Sequence, residues 1–199
     1  MSEAKPLNDA ELRAVLRACL ATRYAERNRV VVLLAFKAGL RAGEITRLRR
    51  WHVMTAGGDL ADTIALDKMA SPRPRTVPIS VELRSAIIAH WKVCPGSHDD
   101  PLVLSERAEV VPTKSGLLAP MLPRSIVRLF GQLFLKVGIV GARSHSGRRT
   151  FGTRAAKAIK KAGGTLKDVQ QLLGHADMAS TQSYIEGDDD AQRKVVNLI

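Results

Sequence analysis

The sequence predicts a mainly α-helical fold carrying a small antiparallel β-sheet, an α+β domain. Three features predict it. Most of the chain places apolar residues at helical spacing. The segment from Trp51 to Ser80 switches to short β-type runs separated by turn residues. The 199 residues, 45% of them hydrophobic, suffice for one core. Aromatic residues make up only 4%, so that core is mostly aliphatic.

Residues 1–6 read as a polar lead. Asn8-Asp9-Ala10-Glu11 is a helix start, a capping residue followed by acids in the first turn. Leu12, Val15, Leu16, Cys19 and Leu20 then repeat at helical spacing. A second helix runs from about Glu26 to Ala38. Its stretch Val30 to Phe36 is apolar all round, which marks a central helix, and Gly39 supplies the stop. Gly43 to Leu48 starts a short third helix. Trp51-His52-Val53-Met54 reads as a strand, Gly57-Gly58-Asp59 as a turn, and Thr63–Asp67 and Thr76–Ile79 as two further strands. Between these last two lies Lys68-Met69-Ala70-Ser71-Pro72-Arg73-Pro74-Arg75, a basic hairpin tip with two prolines. Ser80 or Glu82 opens a helix to about Val93. Pro95 to Pro101 is a surface loop, Leu102–Leu104 a short buried run, and 105–120 irregular. Ile126, Val127, Leu129, Phe130, Leu133, Phe134 and Val137 form a strongly apolar helix that stops at Gly138. Ser144 caps the next, which continues to Ala162 and ends at Gly163-Gly164. Thr165 caps another, with Leu166, Val169, Leu172 and Leu173 on one face and Gly174 at its end. Tyr184 falls in a short helix or turn. Asp188-Asp189-Asp190 breaks the pattern before a tail, Ala191 to Ile199, that ends in apolar residues.

Lys and Arg number 31 against 19 Asp and Glu, a formal net charge of +12, which favours a polyanionic partner, nucleic acid or an anionic membrane. No apolar run reaches the ~18 residues of a membrane span. Met1 to Pro6 lacks the apolar segment of a signal peptide. The expected location is therefore cytoplasmic, with access to the nucleoid. Cys19 and Cys94 have no metal-ligand spacing; Cys19 reads as a buried thiol, and nothing asks for a disulfide.

Six residues bear chemistry. His145 and Arg148 lie three apart after Ser144, on one face of the expected helix, with Phe151, Ala155, Ala158, Ile159 and Ala162 continuing that face as core. Arg148 is then half-buried in a first helical turn. Positive charge there opposes the helix dipole by roughly 0.3–1 kcal/mol, so the arginine needs an anion: a ligand, or an acid elsewhere in the fold. Arg41 follows Gly39 at a tight turn, with Glu44 as its orienting partner. Lys68 sits at the hairpin tip. His175 follows Gly174, and Tyr184 comes nine residues later. Each alone has an ordinary structural reading: a surface pair for Arg41, a solvated Lys68, a helix-end His175, a packing Tyr184. Together they form a set for phosphoryl transfer: a nucleophile, two arginine forks for nonbridging oxygens, and proton donors for the leaving oxygen. No clustered Asp/Glu set for divalent metals accompanies them, so no metal or other cofactor is expected.

Four stretches in this order resemble the tyrosine recombinase, or phage integrase, family. Gly39-Leu40-Arg41-Ala42-Gly43-Glu44-Ile45 looks like its first arginine box, and Ser144-His145-Ser146-Gly147-Arg148-Arg149-Thr150-Phe151 like its His-x-x-Arg box. Leu172-Leu173-Gly174-His175 with Thr181 and Tyr184 looks like its closing box, and Lys68 matches its hairpin lysine. The resemblance covers roughly residues 7–187, and implies a catalytic domain of that fold with 188–199 as a tail that docks on a neighbouring protomer. It implies that Tyr184 attacks a phosphodiester of double-stranded DNA to form a 3′-phosphotyrosyl link and release a 5′-hydroxyl. Arg41 and Arg148 would hold the phosphate, Lys68 would be the general acid, His145 would assist the tyrosine, and His175 would hydrogen-bond the phosphate. Glu44, Arg73, Arg75 and Arg149 would support the site or touch DNA, with Arg73 and Arg75 as basic alternatives to Lys68. Neither metal nor ATP would be needed. The family implies a homo-tetramer on synapsed DNA, and a monomer or weak dimer free in solution.

Two departures stand out. Gly147 replaces the family's usual apolar residue and is expected to loosen that turn. The chain has little room for the helical domain that usually precedes this one, so it is expected to be a naturally short member, as the fimbrial-switch invertases are, or an excised catalytic domain; Met1 favours the first. The leading expectation is a site-specific recombinase or integrase of a mobile element. The alternatives are a type IB topoisomerase-like nicking-closing enzyme, a catalytically idle DNA-binding regulator of the same fold, and a basic interaction protein.

Overall fold

A computed structural model of the chain describes residues 4–106, 118–159 and 161–182. The helices are α1 (Asp9–Leu20), α2 (Ala25–Lys37), α3 (Ala42–Arg47), α4 (Val81–Val93), α5 (Pro123–Lys136), α6 (Ser146–Ile159), α7 (Leu166–Leu173) and α8 (Ala179–Gln182). A short 3-10 helix spans Arg50–Val53, and strands β1 (Thr63–Leu66) and β2 (Arg75–Pro78) form one antiparallel hairpin. The expected class, mainly helical with a small antiparallel sheet, is the observed one.

α2 is the central helix. Val30 through Phe36 are all buried, and α1, α4, α5 and α6 pack around them. Each fully buried large side chain in that run contributes roughly 1.5–3 kcal/mol, so the unbroken apolar run is what fixes α2 in the middle. Local signals set the ends of the elements. The Asn8 side chain accepts from the Glu11 N–H at 2.9 Å, and Glu11 accepts from the Asn8 N–H at 2.9 Å, a reciprocal cap for α1. Ser80 caps α4, and Pro123 opens α5. In the hairpin Thr63 pairs with Pro78 and Leu66 with Arg75; Ile64, Leu66 and Val77 point into the core.

Three expectations need correction. Trp51–Met54 is not a strand. The His52 ring accepts the Arg49 N–H at 2.9 Å and closes a 3-10 turn, while the chain from Leu48 to Trp51 bonds instead to the loop His98–Leu102. The sheet therefore has two strands, not three, and Met54 makes only an isolated bridge to Leu60. α6 begins at Ser146, not directly after a Ser144 cap: the Ser146 hydroxyl accepts the Arg143 N–H at 2.9 Å and closes a turn, leaving His145 just outside the helix. The buried face of α6 is also displaced. Arg148, Gly152 and Ala156 point inward, with Gly147 and Thr150 beside them; Phe151, Ala155 and Ile159 are half-buried, and Ala158 and Ala162 are exposed.

Close packing explains that last difference. A Cβ on Gly147 would stand 2.7 Å from the Ala35 Cβ and 3.0 Å from the Phe36 ring. Small residues thus form the seam between α6 and α2, where periodicity of bulky residues is silent. Gly147 tightens this contact rather than loosening the turn. Gly39 has φ 66°, the left-handed region that suits glycine, and its Cα abuts the Phe151 ring. The middle of the expected irregular stretch (107–117), Tyr184, the Asp188–Asp190 break and the tail Ala191–Ile199 lie outside the described residues.

Candidate active site

Glu44 is the centre of the site. It lies in the first turns of α3, 2% exposed, where an unpaired carboxylate would be costly. Its partners come from three directions. The Arg75 guanidinium donates to both oxygens, at 2.7 and 3.1 Å, the Ser71 hydroxyl donates at 2.7 Å, and the Arg41 N–H donates at 2.9 Å. The Arg41 and Arg148 guanidinium groups stand 3.8 and 3.9 Å away. Burial pushes the carboxyl pKa up, but the bonds from Arg75, the Arg41 N–H and Ser71 outweigh it and hold the value at about 2. Glu44 is ionised at neutral pH. It carries one negative charge against the three positive charges of Arg41, Arg75 and Arg148.

Arg148 is buried, not half-buried as expected, at 4% exposure. Its Nη1 donates to the Gly39 carbonyl at 2.7 Å and its Nη2 to the Leu173 carbonyl at 2.5 Å. These carbonyls lie at the C-terminal ends of α2 and α7, where helix dipoles are negative. Two helix ends and Glu44 thus offset the unfavourable dipole of α6. Arg75 uses the same α7 terminus, its Nε donating to the Leu172 carbonyl at 2.9 Å. Its side chain is 6% exposed and turned inward against Glu44, so it buttresses the site rather than standing beside Lys68 as an exposed cation. Arg41 differs: its side chain is 40% exposed, at the start of α3.

His175 follows the left-handed Gly174 that ends α7. Its N–H donates to the Gln170 carbonyl at 3.1 Å, and its Nδ1 is 3.0 Å from the buried Thr181 hydroxyl. Burial, then the charges of Arg148 and Arg41, push the imidazole down to about 4. At neutral pH the ring is uncharged and offers hydrogen bonds rather than charge. Asp177 pushes the other way; the preceding Gly174 packs on the Arg75 guanidinium, and Arg75 and His175 line one groove, so His175 belongs to the same cluster. Lys68 is exposed in the turn after β1, and His145 is exposed in the turn before α6. Arg73 is exposed and Arg149 half-buried, its N–H donating to the His145 carbonyl. A groove of about 820 Å³ runs beside the cluster, lined by Arg73, Arg75, Lys167, Gln171 and His175 among others. Tyr184 lies outside the described residues.

The fold therefore brings Arg41, Glu44, Arg75, Arg148 and His175 together. Sequence reasoning assigned Glu44 to Arg41, whereas its closest guanidinium is that of Arg75. It missed Ser71, which is 1% exposed and bound to Glu44. A serine between Ala70 and Pro72 in a basic loop carries no pattern that would announce a buried acid 27 residues earlier.

Residues 5–190 match the model of the phage integrase family. The tyrosine recombinase XerC of Mesorhizobium japonicum is 32% identical over 164 residues, 80% of this chain and 46% of that protein. XerC of Methylobacterium nodulans is 31% identical over 165 residues, 81% of this chain and 46% of that one. The chain thus spans about half the length of the curated relatives it matches. Among solved structures, the XerA recombinase superposes with a TM-score of 0.71 at 24% identity, covering 99% of this chain and 66% of the other. The Tn1549 transposon integrase in complex with circular intermediate DNA gives 0.73 at 19% identity, covering 98% and 66%. Both likenesses concern the fold.

Proposed function

The chain belongs to the phage integrase family, and on that premise we propose that it cleaves and rejoins double-stranded DNA at specific sites through a covalent 3′-phosphotyrosyl intermediate. The observation that carries the reading is the convergence of Arg41, Arg148 and His175 about the buried Glu44, beside the turn that bears Lys68.

The chemistry divides among these groups. The Tyr184 oxygen attacks the phosphorus while the bond to the 5′-oxygen breaks. Arg41 and Arg148 donate to the nonbridging oxygens, where charge grows; preorganised donors of this kind each lower the barrier by about 2.7–4 kcal/mol. Arg148 is already fixed by two carbonyls, so little reorganisation is needed at the moment of reaction. His175, uncharged at neutral pH, hydrogen-bonds the phosphate. His145 takes the tyrosine proton, and Lys68 gives one to the departing 5′-oxygen, a contribution of roughly 10²–10⁴-fold. The covalent link keeps the bond energy, so rejoining needs no ATP, and the reaction needs no metal. The relatives' names and the bound DNA in the Tn1549 integrase structure support DNA as the substrate. The net charge of +12 does so too, and implies binding that weakens steeply with salt. Exchange of strands between duplexes calls for four protomers on synapsed DNA, with residues 188–199 as the link between neighbours.

Covalent trapping tests this. The full chain is incubated with a pool of nicked duplexes of randomised sequence, with chelator present, and run on a denaturing gel; trapped DNA is sequenced to give the preferred site. Wild type should give a shifted protein–DNA band that Tyr184→Phe abolishes and Arg148→Ala reduces. Duplex binding without any covalent band would refute strand cleavage and favour an idle DNA-binding regulator. Supercoil relaxation without recombinant products would instead favour a nicking-closing enzyme.

A further inference from the structure

The turn that carries Lys68 is built on a histidine outside the expected catalytic set. His52 is 2% exposed and its ring stacks on Trp51, centroids 3.6 Å apart at 16°. Its Nδ1 accepts the Arg49 N–H at 2.9 Å, so the ring proton sits on Nε2. Nε2 then donates to Asp67 Oδ1 at 3.2 Å. The same Asp67 oxygen accepts the Met69 N–H at 3.0 Å and the Ala70 N–H at 2.9 Å, and the Asp67 carbonyl accepts the Ser71 N–H at 2.9 Å. Lys68 lies inside this turn. At its far end Ala70 is fully buried and Ser71 is bonded to Glu44. The turn is therefore pinned at one end to His52 and at the other to the arginine cluster, while Lys68 and Met69 between them face solvent.

We infer that His52 is a positioning residue for strand cleavage: through Asp67 it sets the turn that presents Lys68 to the departing 5′-oxygen. The inference rests on the proposed reading of Lys68 as the proton donor. In that step the Tyr184 oxygen bonds to phosphorus, the bond from phosphorus to the 5′-oxygen breaks, and a Lys68 Nζ proton moves to that oxygen. His52 touches none of the reacting atoms. An error in the turn misplaces Nζ, and a shift of about 1 Å can cost 10²-fold in rate.

The test uses the full chain and the duplex recovered by covalent trapping, synthesised with either oxygen or sulfur at the bridging 5′ atom. A thiol is acidic near 8.5, so a sulfur leaving group needs no proton donor. Two substitutions separate the two ring nitrogens: His52→Asn keeps an acceptor where Nδ1 caps Arg49 but cannot reach Asp67, and His52→Gln keeps a donor where Nε2 reaches Asp67. We expect His52→Asn to slow cleavage of the oxygen duplex by on the order of 10–100-fold and to cleave the sulfur duplex at the wild-type rate. His52→Gln should restore most of the oxygen rate. Asp67→Ala, altered at a side chain that is 39% exposed, should repeat the His52→Asn pattern. His52→Asn combined with Lys68→Ala should be no slower than Lys68→Ala alone. Equal slowing of both duplexes by His52→Asn, or slowing of neither, overturns the inference. Failure of the underlying reading looks different: covalent trapping would recover no duplex, or sulfur would leave the Lys68→Ala defect in place, and the inference would fall with it.

Discussion

Replacing Glu44 by Gln removes the carboxylate on which Arg75, Arg41 and Ser71 converge while keeping the side chain's shape. The carboxyl is held at about 2 against an ordinary 4.5. A depression of that size, at 1.36 kcal/mol per unit, amounts to about 3 kcal/mol of folding free energy at neutral pH. The figure agrees with the roughly 3–5 kcal/mol that follows loss of one partner of a buried ion pair. Because the folded value lies below the unfolded one, this stability is fully present above about 4.5 and is lost as pH falls through about 2. The assay is urea unfolding of wild type and Glu44→Gln at a series of pH values. With a slope of roughly 2–3 kcal/mol/M, the midpoint should fall by roughly 1–1.5 M at pH 7. The gap should narrow below pH 5, because a protonated Glu44 in the wild type resembles the glutamine. A loss under about 1 kcal/mol that does not change with pH would refute the idea that Glu44 holds the cluster together.

Gly147→Ala puts a methyl group 2.7 Å from the Ala35 Cβ at the seam between α6 and α2. Chemical denaturation should report a loss of about 1–3 kcal/mol, and unchanged stability would show that the seam can relax. His175 has its imidazole pushed to about 4 by burial and then by Arg148 and Arg41. The unfolded chain takes up that proton first as pH falls, so the residue's contribution is full above about 6.5 and is lost between there and about 4. An NMR titration of the His175 ring should give a midpoint near 4, moving upward in Arg148→Ala; a midpoint near 6.5 in wild type would place the ring outside the arginine cluster.

Where information is local, the sequence was readable. The Asn8 cap, the Thr165 start of α7 and the left-handed Gly39 and Gly174 act within a few residues of themselves. The unbroken apolar run of α2 admits no surface placement. The reading failed where a distant group changed the local preference. Trp51–Met54 has strand-forming residues, yet His52 caps a 3-10 turn and the neighbouring backbone pairs with the loop at Asp100. Along α6 the expected face followed the bulky residues, whereas close approach to α2 selected the small ones.

For the site the division is similar. The sequence by itself determined which chemical groups are available and in what order, and its resemblance to the family nominates Arg41, Lys68, His145, Arg148, His175 and Tyr184 as the candidate set. The tertiary structure decided what each described group leans on. Arg148 meets a carbonyl 109 residues away, at Gly39, and Ser71 meets an acid 27 residues away. Arg75 turns from a surface cation into the main partner of Glu44, and His52 becomes the anchor of the Lys68 turn. A buried charge must find partners wherever packing brings them, and packing joins residues that are far apart along the chain. Residue types announce chemistry; only the folded chain brings Glu44, two helix ends and three guanidinium groups to one point.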